Sequence, residues 1–177
     1  DKVYTDNIEL IEDPNSPFTK EELALQRNTS KQMYELIDRF SYSAQQLVEM
    51  QKGLNSNLGE IKNTKDKKLL SEYNDKLESI RKTMVATKLG TAITGEKQMR
   101  EKIAELYAEI SMYQGRPTEY QLIRLKGFDD EIKKKAGEVN STHDIYLEKV
   151  NKILVKNGKS PLKLLTMEKW KNETIKP

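Results

Sequence analysis

Apolar side chains recur at steps of three, four or seven, after one longer opening step in the first, over two stretches of nearly forty residues each. A chain patterned this way buries its apolar atoms as long helices packed side by side. The first stretch carries Leu23, Met33, Ile37, Phe40, Ala44, Leu47, Leu54, Leu58 and Ile61. It opens at Thr19-Lys20-Glu21-Glu22, a capping-box spacing in which the Thr19 hydroxyl and the Glu22 carboxylate satisfy each other's backbone amides. Gly53 weakens this helix without ending it, and the polar run from Asn55 to Thr64 marks the turn. A shorter period through Leu70, Tyr73, Leu77, Ile80 and Met84 stops at Gly90, with the Thr-rich Gly90 to Gly95 segment as connector. A third runs through Met99, Ile103, Leu106, Ile110 and Tyr113 to Gly115, where Arg116-Pro117 cannot continue it. The second long period opens at the capping-box spacing Thr118-Glu119-Tyr120-Gln121. It passes through Leu122, Leu125, Phe128, Ile132, Ala136, Val139, His143, Tyr146, Val150 and Ile153, and Asn157-Gly158 closes it.

Short connections between consecutive helices predict antiparallel neighbours, so the expected fold is all-α: an up-down-up-down four-helix bundle over residues 18–158 with two long and two shorter helices. At about 1.5 Å per residue the long pair would span nearly 60 Å and outrun the short pair, leaving one end two helices thick and in need of cover. Residues 1–17 read as an extended arm: Val3 and Thr5, then Ile8 and Leu10, alternate before the turn cluster at Asp13-Pro14. This arm is either the last strand of a preceding domain or a segment lying across the bundle. Residues 159–177 read as a tail packing on the bundle.

Composition excludes several functions. The chain has no Cys, so disulfides, thiolate metal sites and a Cys nucleophile are ruled out. Lys and Arg number 31 against 28 Asp and Glu, interspersed along every helix, which argues against nucleic acid as a partner. No apolar run approaches the length of a transmembrane segment. A chain that opens on Asp1, with no signal-like apolar region after it, is expected to be a fragment or a processed product.

Little in the sequence carries chemistry. His143, the only His, falls on the apolar row of the fourth helix with no Glu three residues before it, so a ferritin-like metal site is not formed and a structural role is expected. The carboxylate pairs Glu21-Glu22 and Asp129-Asp130 fall on predicted solvent faces and lack a pocket that would tune one of them for acid-base work. Lys133-Lys134-Lys135 follows Asp129-Asp130-Glu131 at i,i+4 spacing and reads as a self-paired surface. The acceptor-like triplets Asn28-Thr29-Ser30, Asn140-Ser141-Thr142 and Asn172-Glu173-Thr174 carry little weight, two of them being mid-helix. No phosphate loop, nucleophile elbow or zinc spacing occurs. No catalytic residue, cofactor or metal is therefore expected. The one surface singled out is the tail, Leu162, Leu164, Leu165, Met167 and Trp170, which either folds back onto the bundle, the favoured expectation, or docks on a partner.

The order of signals resembles the C-terminal helical region of large bacterial proteins with sortilin-like or BNR (Asp-box) β-propellers, common in Bacteroidetes and often described as glycosyl hydrolases. The likeness lies in Tyr4-Thr5-Asp6 to Ile11, the Asp13-Pro14 turn, Glu21 to Gln26, Leu106-Tyr107, Arg116-Pro117-Thr118 with Gln121 behind it, and Leu147 to Val150-Asn151, Leu154, Gly158 and Pro161. The resemblance implies upstream propeller domains of the same polypeptide as partner, an exported setting (periplasmic, outer-membrane-associated or extracellular) and an active site outside this chain. The expected role is a non-catalytic accessory domain. The alternative is a free-standing helical protein-protein interaction module of an exported protein.

Overall fold

The computed structural model describes residues 3–9, 11, 13–87 and 96–174. Leu10, the whole Gly90 to Gly95 connector and the side chains of Glu173 and Thr174 lie outside the described set. All regular structure among the described residues is helical: α1 (Lys20–Leu58), α2 (Thr64–Met84), α3 (Met99–Ser111), α4 (Glu119–Lys156) and a short α5 (Met167–Thr174) within the tail.

Helix ends follow from local chemistry. Thr19 caps α1 with the full reciprocal box, its amide donating to Glu22 at 3.0 Å and its hydroxyl accepting from the Glu22 amide at 3.2 Å. Thr118 and Gln121 repeat the arrangement on α4. Asn63 caps α2 by accepting from the amides of Lys65 and Asp66. α4 ends in a Schellman motif, with Gly158 at φ +70° and the Lys159 amide returning to the Leu154 carbonyl at 2.9 Å. The third helix stops at Ser111, earlier than its apolar period implied. Tyr113 lies beyond it, and the Gln26 side chain donates to the carbonyls of Ile110 and Tyr113 in place of further helical bonds.

The arrangement is three rods, which corrects the alternating order. α1 packs on α2, α3 and α4, and α4 packs on α2 and α3, while α2 and α3 scarcely meet. Gln51 of α1 bonds Glu78 of α2 at 3.0 Å, and Gln26 of α1 reaches the end of α3, so α2 and α3 both run back along α1 and lie end to end. α4 returns in the direction of α1: Arg39 meets Asp129 at 2.6 Å, and Lys159, just past α4, meets Glu60, just past α1. The physical reason is length. The 21 residues of α2 and 13 of α3 together match the 39 of α1, so a broken middle rod covers both long helices along their length. Met84 and Met99, on either side of the break, are both buried, and the Thr87 amide and hydroxyl bond the Glu96 carboxylate across it.

Each long helix presents one buried stripe: Met33, Leu36, Phe40, Leu47, Met50 and Leu54 on α1, and Leu125, Ile132, Val139, Val150 and Leu154 on α4. Ile37 and Ala44, read as centre-stripe positions, flank it instead, and Leu36, Ser43 and Met50 take the centre. Ser43 and Thr29 are tolerated there because their hydroxyls donate to the carbonyls of Arg39 and Leu25 one turn back.

Gly115, at φ +127°, adopts a backbone conformation that other residues resist, and the Phe18 ring lies where its side chain would be, 2.7 Å from an added Cβ. Phe18 also meets Tyr113 edge-on at 6.3 Å. Gly115→Ala is therefore expected to lower the unfolding free energy by about 1–3 kcal/mol and to unseat Phe18, checked by chemical denaturation. An unchanged midpoint would show that this corner relaxes freely.

Candidate functional site

Two surfaces and one buried cluster stand out from the rods. The first surface is the end where α1 and α4 begin and α3 finishes. Met112 and Tyr113 follow α3, and Tyr120 and Ile123 lie on the opening turns of α4; all four are exposed, Met112 by 86%. The arm leaves from the same end through the Asp13 to Ser16 turn, and its Val3, Tyr4, Ile8 and Ile11 are 80–87% exposed. Among the described residues of the arm none belongs to a strand. Among the described residues, eight of the thirteen large exposed apolar side chains thus belong to this end or to the arm that leaves it. Tyr120 is held in place by the Arg124 guanidinium, 5.8 Å from its ring centre, which in turn pairs with Glu109 at 3.2 Å.

The buried cluster joins α2 to α4. The Tyr73 hydroxyl lies 2.5 Å from His143 Nδ1, and the Tyr73 ring stacks on Tyr146 at 5.2 Å. Tyr73 is fully buried and His143 nearly so. Burial pushes the Tyr73 hydroxyl well above the usual phenol range and pushes the imidazole below its ordinary value, with the Asp144 carboxylate opposing the latter shift. Tyrosine therefore donates to a neutral histidine, and the buried Nε2 has no protein partner. A pair enclosed this way holds two helices together.

The second surface is the groove on the other side of the α1/α4 contact, part of which the tail occupies and part of which, between Gln32, Leu36, Leu122 and Leu125, stays open as a cleft of about 420 Å³. Leu162 exchanges two hydrogen bonds with the Asn151 side chain, at 2.7 and 3.0 Å, and lies so close to α1 that a Cβ on Gly53 would sit 2.6 Å from Leu162 Cδ2. Leu165 is buried, and its carbonyl accepts from Tyr42 at 2.9 Å and Gln46 at 3.0 Å. Met167 and Trp170 are half-buried and, with Tyr34, Glu35, Asp38 and Arg39, line a cleft of about 590 Å³. Leu164 alone of the five faces outward, 41% exposed. The structure thus brings Leu162, Leu165, Met167 and Trp170 together against α1 and α4 within the same chain.

The charged pairs are structural. Asp129 bridges helices through Arg39 and also meets Lys133 at 2.5 Å; the Lys133 and Arg39 bonds together hold its carboxyl below the usual range. Glu78 accepts from Arg81 at 2.7 and 2.8 Å and from Gln51, and chiefly the Arg81 bonds bring it down to about 2. Lys135 pairs with Glu138 rather than with a residue one turn earlier. Among the described residues no three His, Asp or Glu side chains converge to hold a metal ion, and no helix is long and apolar enough to cross a membrane. No protein family, curated relative or solved structure matches this chain. The exposed end surface went unnoticed in the sequence because Tyr113 and Leu122 read as core positions of their helices; the outward Tyr120 and Ile123 flanking Leu122 were the available signal.

Proposed function

We infer that this chain is a non-catalytic accessory helical domain that docks, through the arm and the end surface beside it, onto upstream domains of its own longer polypeptide. The carrying observation is the concentration of exposed apolar residues toward the end where the arm departs: Met112, Tyr113, Tyr120 and Ile123 are exposed there, Tyr113 beside Phe18 at the arm's exit, and Val3, Tyr4, Ile8 and Ile11 of the arm are themselves uncovered. Apolar surface of this kind, gathered in one place, is what a covered interface looks like with its partner removed. The alternation of the arm suits pairing with a sheet edge, since an extended segment gains backbone hydrogen bonds there while alternate side chains are buried. The sequence resemblance supplies the kind of partner, a sortilin-like or BNR-repeat propeller polypeptide in an exported setting, with glycan chemistry carried upstream.

The test compares hydroxyl-radical footprinting of the isolated chain with that of the longer polypeptide. Met112, Tyr113 and Tyr120 are expected to be oxidised readily in the isolated chain and protected in the longer one, and the isolated chain is expected to fold cooperatively without glycosidase turnover. Equal oxidation in both, or turnover abolished by replacing a bundle carboxylate, would overturn the reading.

A further inference from the structure

The opposite end of the bundle has a different character. α1 ends there, α2 begins there and α4 ends there, and the contact between Glu60 and Lys159 ties the two connecting turns together. Residues 59–68 and 148–160 carry eight lysines against three carboxylates, so this tip alone holds a charge of +5 where the whole chain holds +3. The rest of the molecule is net acidic. Lys68, Lys152 and Lys159 have carboxylate partners, whereas Lys62, Lys65, Lys67, Lys149 and Lys156 make no ion pair among the described residues and are exposed.

Helix stability does not account for this placement. Lys152 and Lys156 suit the C-terminal end of α4, where the helix dipole favours cations. Lys65, Lys67 and Lys68 fall within the first five residues of α2, the end where the dipole disfavours them, with Asp66 the only acid among them. A local rule broken three times in one turn and a half marks a position selected for something other than the helix.

We propose that this basic tip docks the protein on an anionic phospholipid surface. All eight cations are lysines, point charges that suit a diffuse field of headgroups, and the absence of arginine removes the bidentate phosphate recognition expected of a nucleic-acid reader. No aromatic residue lies among them for bases to stack on, while Val155 stands exposed between Lys152 and Lys156. Juxtaposed lysines each strengthen binding to anionic lipid, so the contact is reversible and sensitive to salt.

Vesicle co-sedimentation tests this. The protein should bind vesicles of phosphatidylcholine containing about 30% phosphatidylglycerol at about 50 mM salt, bind pure phosphatidylcholine far less, and release at about 500 mM salt. The Lys65→Gln/Lys67→Gln/Lys68→Gln variant is expected to lose about 100-fold in partitioning, and Lys149→Gln/Lys156→Gln about 30-fold. The α2 variant should melt at the same temperature or higher, because it relieves the dipole, so lost binding cannot be put down to unfolding. A charge-matched control, Lys20→Gln/Lys31→Gln/Lys102→Gln, should change binding less than about 3-fold, since those residues lie away from the tip. No preference for anionic vesicles, equal losses in tip and control variants, or binding to duplex DNA or heparin but not to vesicles would each overturn the proposal.

Discussion

His143→Ala is expected to lower the unfolding free energy by about 3–5 kcal/mol, the largest effect of any single polar substitution in this bundle. It opens a cavity between α2 and α4 and leaves the Tyr73 hydroxyl, fully buried and 2.5 Å from Nδ1, with no acceptor. Tyr73→Phe should cost about 1–3 kcal/mol, because it strands the imidazole instead. Tyr73→Phe combined with His143→Leu should come close to neutral. The double change removes both polar partners, and with them a buried Nε2 that has no protein partner even in the native pair. Denaturant melts of the three variants check this; strictly additive losses in the double variant would show that the pair is not coupled.

The same histidine sets a pH dependence whose sign is fixed by burial. Its folded value lies below the ordinary value of about 6.5, so the unfolded chain binds the proton first as pH falls. Stability from this source is complete above about 6.5 and is lost below it, by at most about 1.4 kcal/mol per pH unit. Carboxylate losses begin lower. Glu78, brought down to about 2 from an ordinary 4.5, contributes stability that fades only as pH falls through that lower range. Between about pH 5 and 6.5 the slope therefore belongs to His143, and His143→Leu should flatten it. A variant that keeps the slope would place its origin elsewhere.

Leu165→Ala is expected to cost about 2–4 kcal/mol and to shift Trp170 emission to longer wavelength. Leu165 is buried where the tail crosses α1, and its carbonyl is the shared acceptor of Tyr42 and Gln46, so losing the side chain loosens the segment that leads into α5. Trp170, half-buried beside Tyr34 and Arg39, reports that loosening directly. Unchanged stability and emission would mean that the tail is held by its hydrogen bonds alone. A displaced tail would also free Leu162 and Met167 for another partner, which is what docking through this segment requires.

What the sequence reveals is local. The Thr19 and Thr118 capping boxes and the Gly158 stop each depend on residues within a turn of one another, and each appears where its spacing places it. The direction of α3 depends on a long-range match of lengths. Nothing near residues 85–98 states that α2 should be continued rather than reversed; the sum of α2 and α3 against α1 decides it. The basic tip is hidden for a related reason. Its lysines lie in two stretches about 80 residues apart, and only the parallel course of α1 and α4, with α2 starting between them, gathers Lys62, Lys65, Lys67, Lys149 and Lys156 at one end. The His143 partner was equally out of reach, since Tyr73 lies 70 residues away.

Both proposed surfaces depend on one architectural fact, that α1 and α4 run in the same direction, which separates an apolar arm end from a basic tip. The chain contains no cysteine, so spin labels on Glu60→Cys/Lys159→Cys report a single distance by pulsed electron resonance. The three-rod arrangement predicts a narrow distribution below about 25 Å, because the two native side chains touch. An alternating four-helix bundle would put the labels at opposite ends, about 50 Å apart, and that result would contradict the account.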